Sequence, residues 1–305
     1  MATAVELAVC CILLFGPLPV LLAGAEWPTR APRAAVMLWQ VIGLTASFAA
    51  VGAGLAVAVI PLHAGLLPGV DRLIVSAGHP LAALNVYEAL GLAMATYVTG
   101  ELTGGFVVTL ARTLRHRANH RRILDLVGQR NDVVPGTVVL DHPEAVAYCV
   151  PGLRPRIVLS AGALGALDAS ELDAVVAHER GHTHARHDLV MLPLASLIGP
   201  FRWVPYARLA PRSVSALLEM AADDFACRSH RRRVVAAALV RMVVAGSGRI
   251  PDCAFGATAG TVIARVRRLL AFDHNSRAVG VAALLGATAV LSAPLVCIAA
   301  PSLVR

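Results

Sequence analysis

Between Val175 and Leu189 the chain reads VVAHERGHTHARHDL, and this stretch carries four of its 11 histidines, His178, His182, His184 and His187. His178 and His182 bracket Glu179 in the pattern H-E-x-x-H. Residues four apart on an α-helix lie about 40° apart around the axis and one turn along it, so two imidazoles can face one ion. A carboxylate between them then lies beside that ion without having to bind it. A zinc hydrolase needs two neutral imidazoles from one helix, a third protein ligand from elsewhere, an open position for water, and a carboxylate to take that water's proton. Zinc lowers the pKa of a bound water to about 7, which leaves Glu179 a proton it can remove. The expectation is one Zn2+ per chain, with His178 and His182 as ligands and Glu179 as the catalytic base.

The third ligand must come from another element, and Glu219 in LLEMAADDF is the best candidate. Asp223 stands four residues on, so on a helix the two carboxylates share a face. Asp223 can then accept the free ring N–H of a metal-bound histidine and fix its tautomer. His184 and His187 compete for the third position, with Asp224, His230 and Cys227 as minor candidates. A metzincin would have glycine where Ala185 stands and histidine where Asp188 stands, so that class is disfavoured. Helical spacing turns His184 and His187 away from the first pair, so they are read as solvated or as groups standing behind the ligands.

The elements that must hold these groups are partly legible. DASE before the motif sets an acceptor at Asp168 three residues ahead of Glu171, a helix start. Upstream, Thr137 to Leu140, Ala145 to Val150 and Arg156 to Ser160 are β-favouring runs separated by turn signals, which predicts a small antiparallel sheet. Downstream, VMLPLASLIGPFRWVPYARLAP is apolar but interrupted by Pro193, Pro200, Pro205 and Pro211. It suits a segment at the membrane interface, with Trp203 and Tyr206 as headgroup-level anchors. A second helix over SVSALLEMAADDFACRSHRRR then carries Glu219.

Around this core the chain is too apolar for an ordinary soluble domain, 57% hydrophobic and 15% charged over 305 residues. Runs long enough to cross a bilayer, roughly 20 apolar residues each, fall near 5–22, 34–60, 81–110 and 278–298. Glu101 in the third lies beside Gly100 and Gly104, a spacing suited to close helix packing. The domains expected are three membrane helices in 1–110, a peptidase domain in 111–277, and a fourth membrane helix with a short tail in 278–305. The formal net charge of +8 comes from arginine alone, as the chain has no lysine. Arg30, Arg33, the run Arg112 to Arg122 and the cluster Arg265 to Arg277 flank one side of the expected spans. The positive-inside rule then puts both termini outside and 111–277 in the cytoplasm of a multi-pass cell-membrane protein. The arginine run lacks interleaved aromatics and abuts a span, so it reads as a contact to the lipid bilayer rather than to nucleic acid. Six cysteines show no metal-type pairing, and disulfides are not expected.

With AHERGH and the later EMAAD in one membrane chain, the sequence resembles the BlaR/MecR-type membrane metallopeptidases, zinc antirepressors, and more distantly the HtpX and CAAX-protease group. RIVLSAGAL leading into SELDAVVAHERGH extends the likeness. The resemblance implies an α-helical membrane protein with four transmembrane helices and a cytoplasmic α+β zincin-like (gluzincin) domain. It implies a zinc endopeptidase with His178, His182 and Glu219 as ligands, Glu179 as base and Asp223 as the aspartate behind the ligands. It also implies a cytoplasmic protein substrate such as a BlaI/MecI-like repressor. No outer penicillin-binding domain follows the fourth span within these residues, so β-lactam sensing by acylation is not expected. An extended substrate would add as a strand along Ala145 to Val150. His184, His187, Tyr206 and His230 are candidates to stabilise the oxyanion. Two alternatives stand beside this reading: an HtpX-like quality-control protease, and a non-catalytic transducer with a structural zinc site.

Overall fold

The computed structural model describes residues 1–63, 65–75, 85–130, 136–152, 155–197, 202–246, 252–271 and 276–303. In chain order the helices α1 (Ala2–Phe15), α2 (Pro17–Gly24), α3 (Pro32–Ala58), α4 (Leu66–Val75) and α5 (Val86–Val127) come first. The strands β1 (Gln129–Arg130), β2 (Thr137–Leu140), β3 (Ala147–Val150) and β4 (Arg156–Ser160) follow. Then come α6 (Ala161–Ala166), α7 (Ala169–His184), α8 (His187–Leu197), α9 (Pro205–Ala226), α10 (Arg232–Gly246), α11 (Asp252–Leu270) and α12 (Ser276–Leu303). The chain divides into two compact units, one of residues 1–109, 193–214 and 277–305, the other of 110–192 and 215–276.

In the first unit α1 packs along α3, where Ala4 and Leu7 meet Ala49, Ala53 and Ala56. Small residues on α3 let the two backbones approach closely. Pro17 cannot continue the hydrogen bonds of α1, so the first apolar run is split at Gly16 into α1 and α2. Among the described residues, Ala2–Gly24, Pro32–Ala58 and Arg277–Ala299 are long and apolar enough to cross a membrane. These three helices point to membrane insertion. The expected span at 81–110 falls partly on residues outside the described ones. Its remainder forms the first part of α5, which carries Glu88 and Glu101 and is less apolar. A fourth crossing there rests on the sequence alone.

The close approach expected at Gly100 and Gly104 lies elsewhere. A Cβ at either position would meet nothing within 4 Å, whereas at Gly105 it would lie 3.0 Å from the Ser196 carbonyl oxygen. Tyr206 is also not a headgroup anchor. It is buried, with its ring against Phe15 and Trp39, and its hydroxyl donates to the Trp39 carbonyl at 2.8 Å. Trp203, in contrast, is exposed. Pro193 and Pro211 lie inside α8 and α9 rather than ending them. The helix bearing Glu219 therefore starts at Pro205, earlier than the sequence suggested.

In the second unit the strands form one sheet in the order β1-β2-β4-β3. β3 and β4 pair antiparallel, with Cys149 opposite Ile157, but β2 runs parallel to β4. The sheet is therefore mixed, not the antiparallel one expected. The β3–β4 hairpin folds back so that β4, the most buried strand, takes an interior position between β2 and β3. Alternation along the strands gives the sheet two apolar faces. Tyr148, Val150 and Val158 meet Leu124 of α5 on one face. Ile157 and Leu159 meet Leu172, Val175 and Val176 of α7 and Ala238 of α10 on the other. A further core joins Ala174 and Ala177 of α7 to Ala226, Val235, Ala236 and Leu269.

Two devices fix the start of α7 behind β4. Asp168 Oδ1 accepts from the Ser170 and Glu171 backbone N–H groups at 2.9 Å, and Glu171 returns the bond to Asp168 N–H at 3.2 Å, a capping box. Glu171 is itself buried and held by Arg241 at 2.8 Å. Ser160 ends β4 and caps α6. Its Oγ accepts from Ala163 N–H at 3.0 Å and Val146 N–H at 2.8 Å, and donates to the Glu144 carbonyl at 2.7 Å. Ser160→Ala removes the partner of all three groups, including the buried Ala163 N–H, and is expected to cost about 1–2 kcal/mol of stability, read as a lowered thermal midpoint in detergent.

Candidate metal centre

α7 delivers His178, Glu179 and His182, and α9 delivers Glu219 and Asp223. The two helices can meet because Gly181 has no side chain: a Cβ there would lie 3.1 Å from Phe225 Cβ and 3.3 Å from Ala222 Cα. One ligand atom from each of His178, His182 and Glu219 lies within 4.8 Å of the others. The two Nε2 atoms are 3.2 Å apart. His178 Nε2 is 3.5 Å from Glu219 Oε2, and His182 Nε2 is 3.4 Å from Glu219 Oε1. Atoms that each bind a tetrahedral zinc at about 2.1 Å lie roughly 3.4 Å from one another, so this set fits the ion without rearrangement.

Groups that would orient these three side chains are in place as well. Asp223, 1% exposed, accepts from His178 Nδ1 at 3.0 Å, which turns Nε2 toward the other ligand atoms. His187 is buried, with its Nδ1 2.9 Å from His182 Nδ1. With Nε2 of His182 free to bind a metal, its Nδ1–H donates to His187. His187 thus braces His182 and lies outside the group of three that could hold a metal.

Arg265 of α11 escaped the sequence reading. Its Nε and Nη2 donate to the two Asp223 oxygens at 2.8 and 2.7 Å, and its Nη1 lies 3.0 Å from Glu219 Oε2. One guanidinium therefore sets the positions of two carboxylates from α9. The available signal was periodicity: Arg265 lies four residues before the buried Leu269, so it shares that apolar face of α11. The sequence had counted it only among arginines flanking a span.

The other candidates are engaged elsewhere. His184 is exposed and stacks near the Phe225 ring. His230 bridges Asp173 and Ser229, each at 3.0 Å. Asp224 pairs with Arg268 at 2.7 Å, and Cys227 packs in the core between α7, α10 and α11. The Tyr206 hydroxyl is committed to Trp39.

Glu179 is buried and faces β3, where it accepts hydrogen bonds from the Cys149 backbone N–H and thiol. Burial raises its proton affinity. Burial and the nearby Glu179 charge push the Cys149 thiol up to about 12, so it stays a neutral donor. Burial opposes the ionised forms of Glu219 and Asp223, yet hydrogen bonds and charge from His178 and Arg265 hold both down at about 2. Burial also opposes charge on His178, but Asp223 and Glu219 outweigh it and raise the imidazole to about 9. Burial dominates at His182 and lowers it to about 4. Three carboxylates thus converge on the site against the Arg265 guanidinium and the His178 imidazolium, a remaining negative excess that favours a cation. The adjoining cavity, about 160 Å³, is walled on its apolar side by Val175, Val235, Leu239 and Met242.

β3 is an edge of the sheet among the described residues. Ser160 N–H donates to the Val146 carbonyl at 2.9 Å, so by the antiparallel alternation the backbone groups of Ala147 and Cys149 point away from β4. Ala147 also lines the cavity. This edge can accept a further strand next to Glu179.

Residues 110–204 match the model of peptidase family M48. The matched stretch contains His178, Glu179 and His182 and ends before Glu219, and it supports a metallopeptidase of that family. Peptidases of this family are typically zinc-dependent. No curated protein and no solved structure matches the chain significantly.

Proposed function

We propose, from that match and the donor geometry, that this is a membrane-embedded zinc endopeptidase which cuts an extended polypeptide laid along the edge of β3. The observation that carries the reading is the coincidence of three ligand atoms at zinc spacing with a buried, non-ligating carboxylate on the same helix. His178, His182 and Glu219 would hold the ion, which when bound polarises a carbonyl and acidifies water. Glu179 takes the proton of the attacking water and passes it to the leaving amine. Its burial suits a group that must both accept and release a proton near neutral pH. Cys149 N–H keeps the carboxylate aimed beside the strand edge. Ala147 offers backbone groups to the substrate, which orients the bond to be cut. A purely structural zinc site would have a fourth protein ligand and no use for a base.

The arginine distribution supports a cytoplasmic peptidase unit and a cytoplasmic protein substrate, and the BlaR/MecR resemblance supports a BlaI/MecI-like repressor as that substrate. A quality-control protease is the second reading, favoured by the edge strand itself: backbone pairing gives affinity without demanding one sequence. A panel of unrelated unfolded proteins separates the two, since a repressor-specific enzyme leaves the panel intact. The metal is tested by mass spectrometry of detergent-purified protein. Wild type is expected to carry about one zinc per chain, and His178→Ala and Glu219→Ala essentially none. A well-folded wild type without zinc would sink the proposal.

A further inference from the structure

A second cavity, about 440 Å³, opens beside the same strand, lined by His116, Arg117 and His120 of α5 and by Tyr148 to Pro151. We propose that it is a subsite for an acidic side chain of the substrate, within about four residues of the bond that is cut. The proposal rests on the peptidase reading above. β3 connects the two cavities: Ala147 lines the one at the metal ligands, and Tyr148, Cys149 and Val150 line this one. At about 3.3 Å per residue, Ala147 to Pro151 spans roughly 13 Å, so a strand added past Glu179 reaches the second cavity within four residues.

The lining chemistry selects a carboxylate. Residues 112–122 of α5 carry five arginines and no acidic residue, which makes the local field positive. Arg117 is half-buried and oriented by one ion pair, Nη1 to Asp188 Oδ2 at 2.9 Å. A guanidinium has five N–H donors, so Arg117 can bind a second carboxylate while Asp188 holds it. His116 stands exposed one turn before His120, whose Nε2 is fixed 3.0 Å from the Tyr148 hydroxyl. Tyr148 belongs to the edge strand itself, so these groups sit where a bound polypeptide would run.

The test uses the full-length zinc-loaded protein in detergent and a synthetic peptide matching its main cut in denatured β-casein. Glutamate, glutamine and lysine are placed in turn at each of the four positions on either side of the bond. At one position glutamate is expected to raise kcat/KM about tenfold over glutamine, with lysine below both. The glutamate-to-glutamine ratio should fall to about two or less in Arg117→Gln and in His116→Gln, the latter a surface change that tolerates folding. Taking the ratio within each protein cancels any general loss of activity. Cleavage with no acidic preference, or with a preference undiminished in both variants, overturns the proposal and leaves the peptidase reading standing. So does loss of preference when phosphatidylglycerol vesicles are added at low salt, which would assign the cleft to a lipid headgroup. Absence of any cleavage, or cleavage that survives Glu179→Gln, overturns the peptidase reading and this proposal with it.

Discussion

Glu179→Gln is expected to lower peptide hydrolysis by about 10²–10⁴-fold, the range by which a positioned general base accelerates such a step. Zinc content should stay unchanged. Glutamine keeps the length of the side chain and an oxygen that can accept the Cys149 N–H, so the register of α7 against β3 is retained. What it loses is the ability to take a proton. Because Glu179 is not among the three clustered ligand atoms, metal mass spectrometry beside the rate measurement separates the roles. A variant that holds zinc and still cleaves at the wild-type rate would remove Glu179 from the mechanism. A variant that loses zinc would make it a ligand instead.

Arg265→Met should be the most damaging change outside the ligands themselves. It strands Asp223 and Glu219, two converging carboxylates, one of them almost fully buried, without the guanidinium that neutralises them. Breaking a buried pair from one side costs about 3–5 kcal/mol. Zinc affinity should also fall about 10–100-fold, as it does when a group orienting metal ligands is removed. The two effects are linked, because a metal that binds more weakly stabilises the folded protein less. The drop in thermal midpoint should therefore be larger in zinc-loaded protein than in chelator-treated protein, where only the broken ion pairs are lost. Arg265→Lys restores the charge but not the planar fork that holds Asp223 from two nitrogens, so only partial recovery is expected. Equal stability of Arg265→Met and wild type in chelator would show that the clamp is incidental.

His178, Glu179 and His182 were legible because their relation is local: four residues apart on one helix is a fixed geometry whatever the rest of the chain does. The start of that helix at Asp168 was legible for the same reason, since a capping box is closed within four residues. The pairing of Glu219 with Asp223 followed from the same spacing, and the extent of the strands from the turn residues between them. His187 was read as solvated or standing behind the ligand pair, and the structure places it behind His182. After α7 ends at His184, Arg186 adopts a left-handed φ of 50° that breaks the helical course, and His187 lies against His182.

What the tertiary structure decided was every relation between elements far apart in sequence. Nothing in the strands themselves says that β4 lies inside the sheet with β2 parallel to it. That order comes from burying Ile157, Val158 and Leu159 between α5 and α7. It leaves β3 at the edge beside Glu179. Tyr206 carries a motif of the membrane interface, yet its partner is the Trp39 carbonyl, 167 residues away. Arg265 looked like a flanking charge until α11 packed against α9 and brought it within 3.0 Å of Glu219 and Asp223. A local pattern can specify which atoms are able to bind a metal, because backbone periodicity fixes their spacing. Which distant charge steadies them, and which strand edge faces them, depends on how apolar faces are buried together, and that is settled only when the helices and the sheet pack.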